Sequence, residues 1–522
     1  MKKRNWFIGV LSVVVLALAA CSTPSSNTTQ ETSSKAQSNS VFTYAISGEP
    51  SSTNPITTSD RWGLTITNMI FSPLIRIEGD GSQKFELAKS IETSQDGLVL
   101  TVHLRQDVKW SDGQAFTADD VVFTYEQKAK KENGNAKSMW IGDEAIQVVK
   151  VDDYTVEFRL PTVSAAALEN VATEIYIMPK HIYKDVKDFS VSDLGITPVG
   201  TGPYKLKEHV RGEYFQFEAN EHYYGGKAAI NTVVLRIINS TDTAKLALQK
   251  GEIDAAVVLP SDISELGSQV TPYAYSENRI GYMGLNTKTT ELSDKRVRQA
   301  ILYALNKDDM NKAAYLSTEY YTNPYSILPP NNPFVTNDVE KYETNVEKSK
   351  ALLAEAGVTN LTLRLGYSAS DAAQTLQATL IQQQLQQVGI TVELAGGDGT
   401  ALFTELRKKG STQYHLFLGG YIMGNDPDLY SVLFAPGQRS NYFQFDSQEV
   451  AKLFQDGATE LDPAKRKEIY NTLQQTIVDN AIIYPIVDNR RVLVVNNRIG
   501  NVEKAGLIPI YTLEDMSKLI IK

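Results

Sequence analysis

The sequence predicts an α/β fold in which a sheet is covered by helices. The clearest indication is a strand–helix–strand run over 361–365, 372–388 and 390–394. Apolar residues recur along the helical segment at the spacing of one helix face, and the segment stops at a glycine. The predicted inward positions are Leu376, Leu380, Ile381, Leu385 and Val388, and the stop is Gly389. Two strands joined by a helix form a βαβ unit, which is typical of a helix-covered sheet.

Strands and turns dominate the start of the folded region. Residues 41–46 predict a strand that ends at Gly48 and Pro50, and apolar residues alternate with polar ones from Leu98 to Leu104. Ser111-Asp112-Gly113 has the composition of a turn. Thr117, with Asp120 three residues later, predicts a helix start of the capping-box type.

Further elements follow in the second half. A helix is expected over 297–305, after Ser293 and Asp294 as candidate caps, and another over 348–356 that stops at Gly357. Near the C-terminus we expect a helix over 465–478 and two strands, over 482–487 and 491–495. The sequence contains no internal repeat.

The N-terminus has the pattern of a secretory signal. Lys2, Lys3 and Arg4 precede fifteen mostly apolar residues, 6–20, which is short of the roughly 20 that a membrane-spanning helix needs. The segment Leu18-Ala19-Ala20-Cys21 resembles the bacterial lipobox. That resemblance implies that Cys21 receives a diacylglyceryl group with palmitate-like chains and becomes the mature N-terminus. The alternative is an ordinary signal peptide with an incidental cysteine.

Cys21 is the single cysteine of the 522 residues, so an intrachain disulfide is excluded. Each buried CH₂ of an acyl chain contributes about 0.8 kcal/mol, and two or more chains give stable attachment. We therefore expect a tether to the outer face of a membrane. Eleven of the nineteen residues 22–40 are Ser or Thr, so residues 21–40 are predicted to be a flexible linker.

The composition limits the possible partners and the domain count. Removal of residues 1–20 takes three of the 51 basic residues, which leaves 48 against 61 acidic residues and a net charge of −13. This balance argues against nucleic acid and against anionic lipid, because both need a basic surface. The remaining length suits two or three domains.

Six segments resemble, in order, the peptide- and nickel-binding lipoproteins of ABC importers, and together they span almost the whole mature chain. They read SQDGLVLTVHLRQDVKWSDGQAFTADDVVFTYE (94–126), VGTGPYKLKE (199–208), GYMGLNT (281–287), LSDKRVRQAILYALNKDDM (292–310), GNDPDLYSVLF (424–434) and SNYFQFDSQEV (440–450). Within the first of them, we interpret Trp110, Asp112, Gly113 and Thr117 as residues that organise a small domain.

The resemblance implies a periplasmic-binding-protein-like α/β fold. Two lobes, with a small inserted domain, enclose a ligand cleft and are joined by a two-crossover hinge that closes on the ligand. The crossovers are expected near 281–286 and 485–489. The implied partition is a signal peptide (1–20), a linker (21–40), a discontinuous lobe I (41–76, 197–285 and 485–522), a small domain (77–196) and lobe II (286–484).

The segment 415–443 is the expected ligand loop, because it is rich in glycine and proline and follows a strand. In the dipeptide and oligopeptide members, an acidic residue two or three positions after a tryptophan binds the peptide ammonium. Here Tyr421 lies near the tryptophan position and Met423 at the acidic one. Either Asp426 or Asp428 is the candidate replacement, and the other predicted ligand contacts are Arg439 for a carboxylate, and Asn441, Tyr282, Asn286 and Ser47.

Two alternatives remain open at this site. Asp426 is also a good residue to begin a turn before Pro427. The missing acid is equally consistent with a ligand that has no free ammonium, such as a blocked peptide or another small solute.

The predicted function is capture of short peptides for import. Capture of nickel or a metal chelate is an alternative, but no two of His103, His181, His209, His222 and His415 lie three or four residues apart. The sequence has no catalytic motif such as Gly-x-Ser-x-Gly or His-Glu-x-x-His, so we expect no enzymatic activity, cofactor or resident metal. Nutrient uptake and peptide-pheromone capture are not distinguished.

The expected partners follow from this function. They are a short peptide, the permease subunits of an ABC importer, and the membrane through the lipid anchor. We expect a monomer on the extracellular face of a Gram-positive bacterium.

Overall fold

A long mixed sheet runs through the molecule and carries both lobes. The computed structural model describes residues 41–78, 82–172 and 175–522, so the predictions for the signal peptide and linker lie outside the described residues. Eleven strands of the described chain form this sheet.

The N-terminal part of the described chain contains one strand of the main sheet and the small domain. Its elements are β1 (Val41–Ile46), α1 (Arg61–Ile70), β2 (Ile75–Ile77), β3 (Gln83–Phe85), β4 (Ala88–Thr93), β5 (Val99–Leu104), α2 (Ala118–Ala129), β6 (Trp140–Ile141), β7 (Glu144–Ala145), β8 (Gln147–Asp152), β9 (Thr155–Arg159), α3 (Ala167–Ala172) and α4 (Lys180–Tyr183).

The next part returns to the main sheet. Its elements are β10 (Tyr204–Val210), β11 (Tyr214–Ala219), β12 (Thr232–Ile237), α5 (Thr241–Lys250), β13 (Ala255–Val258) and β14 (Val270–Leu285). We refer to the half of the sheet that contains β1 and β10–β13 as lobe I.

The remaining elements build the other half, which we refer to as lobe II, and then return to lobe I. They are α6 (Lys295–Tyr303), α7 (Lys307–Tyr315), β15 (Tyr321–Thr322), α8 (Val346–Glu355), β16 (Leu361–Ser368), α9 (Ala372–Gln386), β17 (Ile390–Gly397), α10 (Gly399–Leu406), β18 (Leu416–Ile422), α11 (Ser431–Phe434), α12 (Gln448–Thr459), α13 (Pro463–Asp479), β19 (Ile483–Asn496), β20 (Ile499–Gly500), β21 (Leu507–Ile508), β22 (Thr512–Leu513) and β23 (Ile520–Ile521).

The predicted βαβ unit is confirmed: β16 and β17 are parallel neighbours in register from Leu361↔Ile390 to Ser368↔Gly397. Gly357 and Gly389 end the preceding helices with positive φ angles of 72° and 83°, a backbone region that glycine adopts without strain. The expected inward position of Leu376 is wrong, since its side chain is 44% exposed. Gln377 and Gln384 are turned inward instead, and Gln384 Oε1 accepts a hydrogen bond from Asn306 N at 2.9 Å.

The chain crosses between the lobes in two long strands, β14 and β19, which pair antiparallel with each other. They lie at the centre of the main sheet, whose strand order is β10-β11-β12-β1-β13-β19-β14-β18-β16-β17, with β15 paired to β19. The prediction of two separate strands over 482–495 is wrong, because β19 is continuous from Ile483 to Asn496. The pairing begins in lobe I at Val270↔Asn496 and ends in lobe II at Gly284↔Ile483. The two lobes therefore share one pair of crossing strands.

Each part of the molecule has its own buried core. The lobe I core packs α1 against β1, β11 and β12 and includes Phe42, Tyr44 and Phe217. A core on one face of the lobe II sheet includes Leu363, Leu365, Ile381 and Leu418, and a core on the other face is rich in aromatic residues. The small domain is built on a four-stranded sheet, β4-β5-β9-β8, with a separate core.

The turn and cap residues of the small domain do what the sequence predicts. The buried Asp120 carboxylate accepts hydrogen bonds from Thr117 N at 3.0 Å, Lys180 N at 2.8 Å and Trp110 Nε1 at 3.3 Å. Asp112 lies 2.8 Å from His181 Nε2. These contacts fix the start of α2 to α4 and to the turn, so their role is structural.

The small domain also touches lobe II. Ala165 N donates to Ala458 O at 2.8 Å, and Asn425 Nδ2 donates to Glu78 O at 3.2 Å. None of the helices in the described ranges has the length and apolar character required to cross a membrane.

Candidate ligand-binding cleft

The strand register shows which strand ends of the two lobes lie near the crossing strands. In lobe I, the carboxyl end of β13 pairs at Val258↔Val492, and β1 and β12 run parallel beside it. In lobe II, the carboxyl end of β18 pairs at Arg279↔Ile422. On the crossing strands these positions are close, because Ser276 pairs with Arg490 and Ile280 with Asp488. Ligands of α/β proteins bind at the carboxyl ends of parallel strands, and both sets of ends converge on residues 276–280 and 488–492.

A turn at the end of β1 forms the lobe I side of this region. Ser47 is exposed, and its Oγ accepts a hydrogen bond from Trp62 Nε1 at 3.2 Å. Asp60 caps α1 and accepts hydrogen bonds from Ser51 N at 2.9 Å and Ser51 Oγ at 2.5 Å. The turn from Ser47 to Ser51 is thereby fixed to the start of α1, with the predicted contact residue Ser47 at the surface.

A buried glutamate joins the crossing strands to lobe I. Glu277 is 6% exposed and accepts from Arg491 Nη1 at 3.2 Å and from Arg61 Nη2. Arg61 also donates to Ile510 O at 2.7 Å. Both arginines therefore share one carboxylate, which offsets one of their two positive charges.

A second acidic side chain in the crossing strands has no cationic partner. Asp488 is 2% exposed, and its oxygens accept from Ser276 Oγ at 3.0 and 3.2 Å. Within 4.0 Å of its carboxylate there is no Lys, Arg or His nitrogen of the described residues. Burial raises the pKa of Asp488 to about 6, against the opposing effects of the Ser276 hydrogen bond, Arg490 and Arg279.

The loop after β18 holds its first aspartate in an internal ion pair. Asp426 is 4% exposed, and both of its oxygens lie 2.8 Å from Arg466 Nη2. It also accepts from Asp428 N at 2.9 Å, which caps a short 3₁₀ helix over Pro427–Tyr430. The carboxylate is therefore engaged within lobe II, in agreement with the turn alternative and not with an ammonium anchor.

Asp428 differs from its neighbour. It is partly buried, and no hydrogen bond or ion pair to its carboxylate is formed by the residues that the structure describes. Burial, and then the charge of Asp426, raise the pKa of Asp428 to about 6, while Arg466 and Lys137 act in the opposite direction. Lys137 belongs to the small domain, so Asp428 lies where that domain meets the loop.

Four of the predicted contact residues have their polar atoms occupied inside lobe II or lie in its core. Tyr421 OH donates to Ile327 O at 2.6 Å, and its ring lies 5.4 Å from that of Tyr282, which is 2% exposed. Asn286 Nδ2 donates to Ser411 O at 2.8 Å and Tyr414 O at 3.1 Å. Asn441 Nδ2 donates to Phe445 O at 2.7 Å and Ala435 O at 3.1 Å. These contacts lie inside lobe II and help to hold the segment after β18 in place.

The remaining two predicted residues are more accessible. Met423 is half-buried directly after β18 and packs on the aromatic core. Arg439 is exposed in the turn after α11. The structure thus brings Met423 and Asp428 into one loop, with Ser47 in the other lobe.

The sequence interpretation missed the charged residues at the crossing, which are Arg61 of α1 and Glu277, Arg279 and Asp488 of the crossing strands. Glu277 and Arg279 lie just before the segment GYMGLNT (281–287), and this was the signal in the sequence. Among residues 41–78, 82–172 and 175–522, no group of three or more His, Cys, Asp or Glu side chains is arranged to hold a metal ion.

The family model that describes bacterial extracellular solute-binding proteins, family 5 (middle), matches residues 84–441. The chain belongs to this family. Family members are substrate-binding transport proteins, and the two-lobed α/β fold is theirs.

Individual relatives agree with this membership. The crystal structure of the ABC transporter substrate-binding protein CtaP of Listeria monocytogenes is 36% identical, with a TM-score of 0.88 over 92% of this chain and 99% of that chain. That of a putative peptide-binding protein AppA from Clostridium difficile is 30% identical, with a TM-score of 0.85 over 92% and 100%. The oligopeptide-binding protein AppA of Bacillus subtilis is 29% identical over 92% of this chain and 93% of its own.

Proposed function

We propose that this protein captures short peptides in the cleft between its lobes and delivers them to an ABC importer. The observation that carries the proposal is the convergence of the parallel-strand ends of both lobes on residues 276–280 and 488–492. Strand ends offer backbone donors and acceptors, which bind a peptide main chain without reading its side chains. The family relatives that are named as peptide-binding support this ligand class.

Within this cleft, Asp428 is the proposed partner of the peptide ammonium. Its carboxylate is the one in the 423–428 loop that is not engaged by a cation, whereas Asp426 is paired with Arg466. Burial of a charged ammonium requires such a counter-charge. Ser47 and Met423 are proposed to line the cleft on its two sides, and Arg439 remains a candidate for an acidic group at its edge.

Ligand capture would proceed by hinge closure of the two lobes, with the domain bounds expected from the sequence. That partition assigns 41–76, 197–285 and 485–522 to lobe I, 77–196 to the small domain and 286–484 to lobe II. Residues 279–285 of β14 pair with β18 of lobe II, so this strand belongs to both lobes. The hydrogen bonds Ala165 N–Ala458 O and Asn425 Nδ2–Glu78 O join the small domain to lobe II beside the ligand loop. A ligand that contacts both lobes favours the closed state, because only differential contacts shift such an equilibrium.

The proposed setting is the outer face of the membrane of a Gram-positive bacterium. Cys21 would carry the diacylglyceryl anchor after removal of residues 1–20, and residues 21–40 would link the anchor to the folded chain. The protein would act as a monomer with the permease subunits, and without enzymatic activity.

Native mass spectrometry of the purified full chain in detergent tests the ligand class. Peptide capture predicts a series of adducts with the masses of short peptides, which are lost on mild unfolding and refolding. A single metal chelate or a haem adduct, and no binding of added alanine peptides of two to six residues, would contradict the proposal.

A further inference from the structure

The cleft contains an arginine whose direction is set by an irregularity in β14. The register between β14 and β19 shifts between Ser276 and Ile280, and Asn278 in this bulge has a φ of +52°. Bulges change the direction of the side chains next to them. Glu277 points to the arginines of lobe I, and Arg279 lies on the lobe II side of the crossing.

Two glycines make room for the Arg279 side chain. A Cβ on Gly420 would clash with its guanidinium, and one on Gly281 would lie 3.1 Å from its Nη1. Gly420 is in β18, two residues before the carboxyl end of that strand. The side chain therefore lies flat along the sheet at the strand end that faces the cleft.

The guanidinium is positioned but not neutralised. Arg279 Nη1 donates to Asn489 Oδ1 at 3.0 Å, and the side chain is half-buried. No carboxylate of the described residues lies within 4.0 Å of it, whereas Arg61, Arg466, Arg491 and Arg498 each have one. The buried Arg298 also has none, but its donors are bound by the backbone oxygens of Leu292, Ser293 and Asn480. A guanidinium carries five N–H donors in a planar fork, so most of its donor capacity is available to a ligand.

The acidic groups around Arg279 are held elsewhere. Asp371 caps α9, where it accepts from Gln374 N and Gln374 Nε2 at 3.1 Å each. Asp488 is buried against Ser276. Neither carboxylate forms an ion pair with Arg279.

We propose that Arg279 is a specificity-determining residue that binds a carboxylate of the captured ligand. The proposal rests on the proposed function and adds an orientation to it, with the ligand's anionic group at the crossing strands and its ammonium at the 423–428 loop. A planar carboxylate fits the guanidinium fork through two parallel hydrogen bonds. That carboxylate is either the peptide C-terminus or a Glu or Asp side chain.

The test compares peptide acids with their amides by isothermal titration calorimetry on the full chain in detergent. The probes are alanine peptides of two to six residues as free acids, the same peptides as C-terminal amides, and amides with one glutamate. We expect the wild type to bind a carboxylate-bearing form at least about tenfold more tightly than the plain amide. Arg279→Gln should lose that preference, with an affinity for the amide within about twofold of the wild-type value. Arg279→Lys should retain part of the preference for the carboxylate-bearing form.

Arg211→Gln is the control. Arg211 is exposed in the turn between β10 and β11, at the lobe I edge of the main sheet and away from the crossing strands. We expect this variant to keep the wild-type preference for the acid. The acid–amide comparison in the wild type does not depend on the folding of any variant.

Each outcome has a distinct meaning. A preference that depends on the terminal acid identifies the peptide C-terminus, and one restored by glutamate in the amide identifies a side chain. Wild-type binding without any preference, or an unchanged preference in Arg279→Gln, would overturn the role of Arg279 while peptide capture stands. Failure of the wild type to bind every peptide would overturn both proposals.

Discussion

Asp426 and Arg466 form a buried ion pair in lobe II, with both carboxylate oxygens 2.8 Å from Arg466 Nη2. Arg466 Nε also donates to Gly457 O at 2.8 Å. The pair therefore joins the loop after β18 to the end of α12 and the start of α13. The same end of α12 receives the hydrogen bond from Ala165 of the small domain, so one network fixes the loop and the surface that the small domain touches.

Arg466→Met is expected to destabilise the folded chain by about 3–5 kcal/mol, because it leaves the Asp426 carboxylate buried and unpaired. Adding Asp426→Asn to it should recover part of the loss. Urea unfolding of the three proteins measures this. Lys452→Met, which breaks an exposed pair with Asp456 at 2.7 Å, serves as the control and should cost less than about 1 kcal/mol. A loss in Arg466→Met no larger than in the control would argue against a structural pair.

Asp428→Asn is expected to weaken the binding of peptides with a free amino terminus by about tenfold or more, because a charge-assisted hydrogen bond is lost. N-acetylated peptides should bind both proteins alike. Calorimetry with the two peptide forms measures the difference, and the exposed Asp446→Asn in the same lobe is the control. Equal affinity of wild type and Asp428→Asn for the free peptide would place the ammonium site elsewhere.

The ionisation of Asp488 should make stability depend on pH. Burial raises its pKa from 3.8 to about 6 in the folded state, so protonation favours folding. The contribution of Asp488 to the free energy of unfolding is fully present below about pH 4 and is lost as the pH rises through about 6. The loss is roughly 3 kcal/mol at most. Asp488→Asn should lack this fall.

Urea unfolding of wild type and Asp488→Asn between pH 4 and 8 isolates the effect as a difference between the two proteins. The free energy of unfolding of Asp488→Asn should rise relative to that of the wild type as the pH rises, and the difference should level off above about pH 7. A difference that stays constant across this range would show that Asp488 has the same pKa in the folded and unfolded chains.

The local signals in the sequence were sufficient for most elements but not for the site. Gly357 and Gly389 marked helix ends because a positive φ requires a residue without a Cβ. Leu376 was misplaced because the helix periodicity does not show that Gln384 is held inward by Asn306, a partner 78 residues away. The strand Ile483–Asn496 is continuous through the charged residues in its middle because they pair with β14 at the crossing.

The site depended on contacts between distant parts of the chain. In the sequence Asp426 is one of two candidate carboxylates, whereas in the fold it is paired with Arg466, forty residues later. The position of the Arg279 side chain depends on Gly420 and Asn489, which are far from it in sequence. The spacing of residues along one segment carries no information on such pairs.

Cys21→Ala is expected to shift the protein from the membrane fraction to the soluble fraction, or to leave an unprocessed precursor. Metabolic labelling with a tritiated fatty acid should mark the wild type alone, because the acyl chains are attached through the cysteine sulfur and the new amino terminus. Cys21→Ser provides a near-isosteric comparison. Equal labelling of wild type and both variants would overturn the proposal of a lipid anchor.

Small-angle X-ray scattering of the stripped chain, with and without a peptide found to bind by calorimetry, tests capture between the lobes most directly. The account predicts a smaller radius of gyration with peptide, saturating at one peptide per chain, because contacts to both lobes favour the closed state. A radius that stays the same at saturating peptide would contradict closure of the cleft on its ligand.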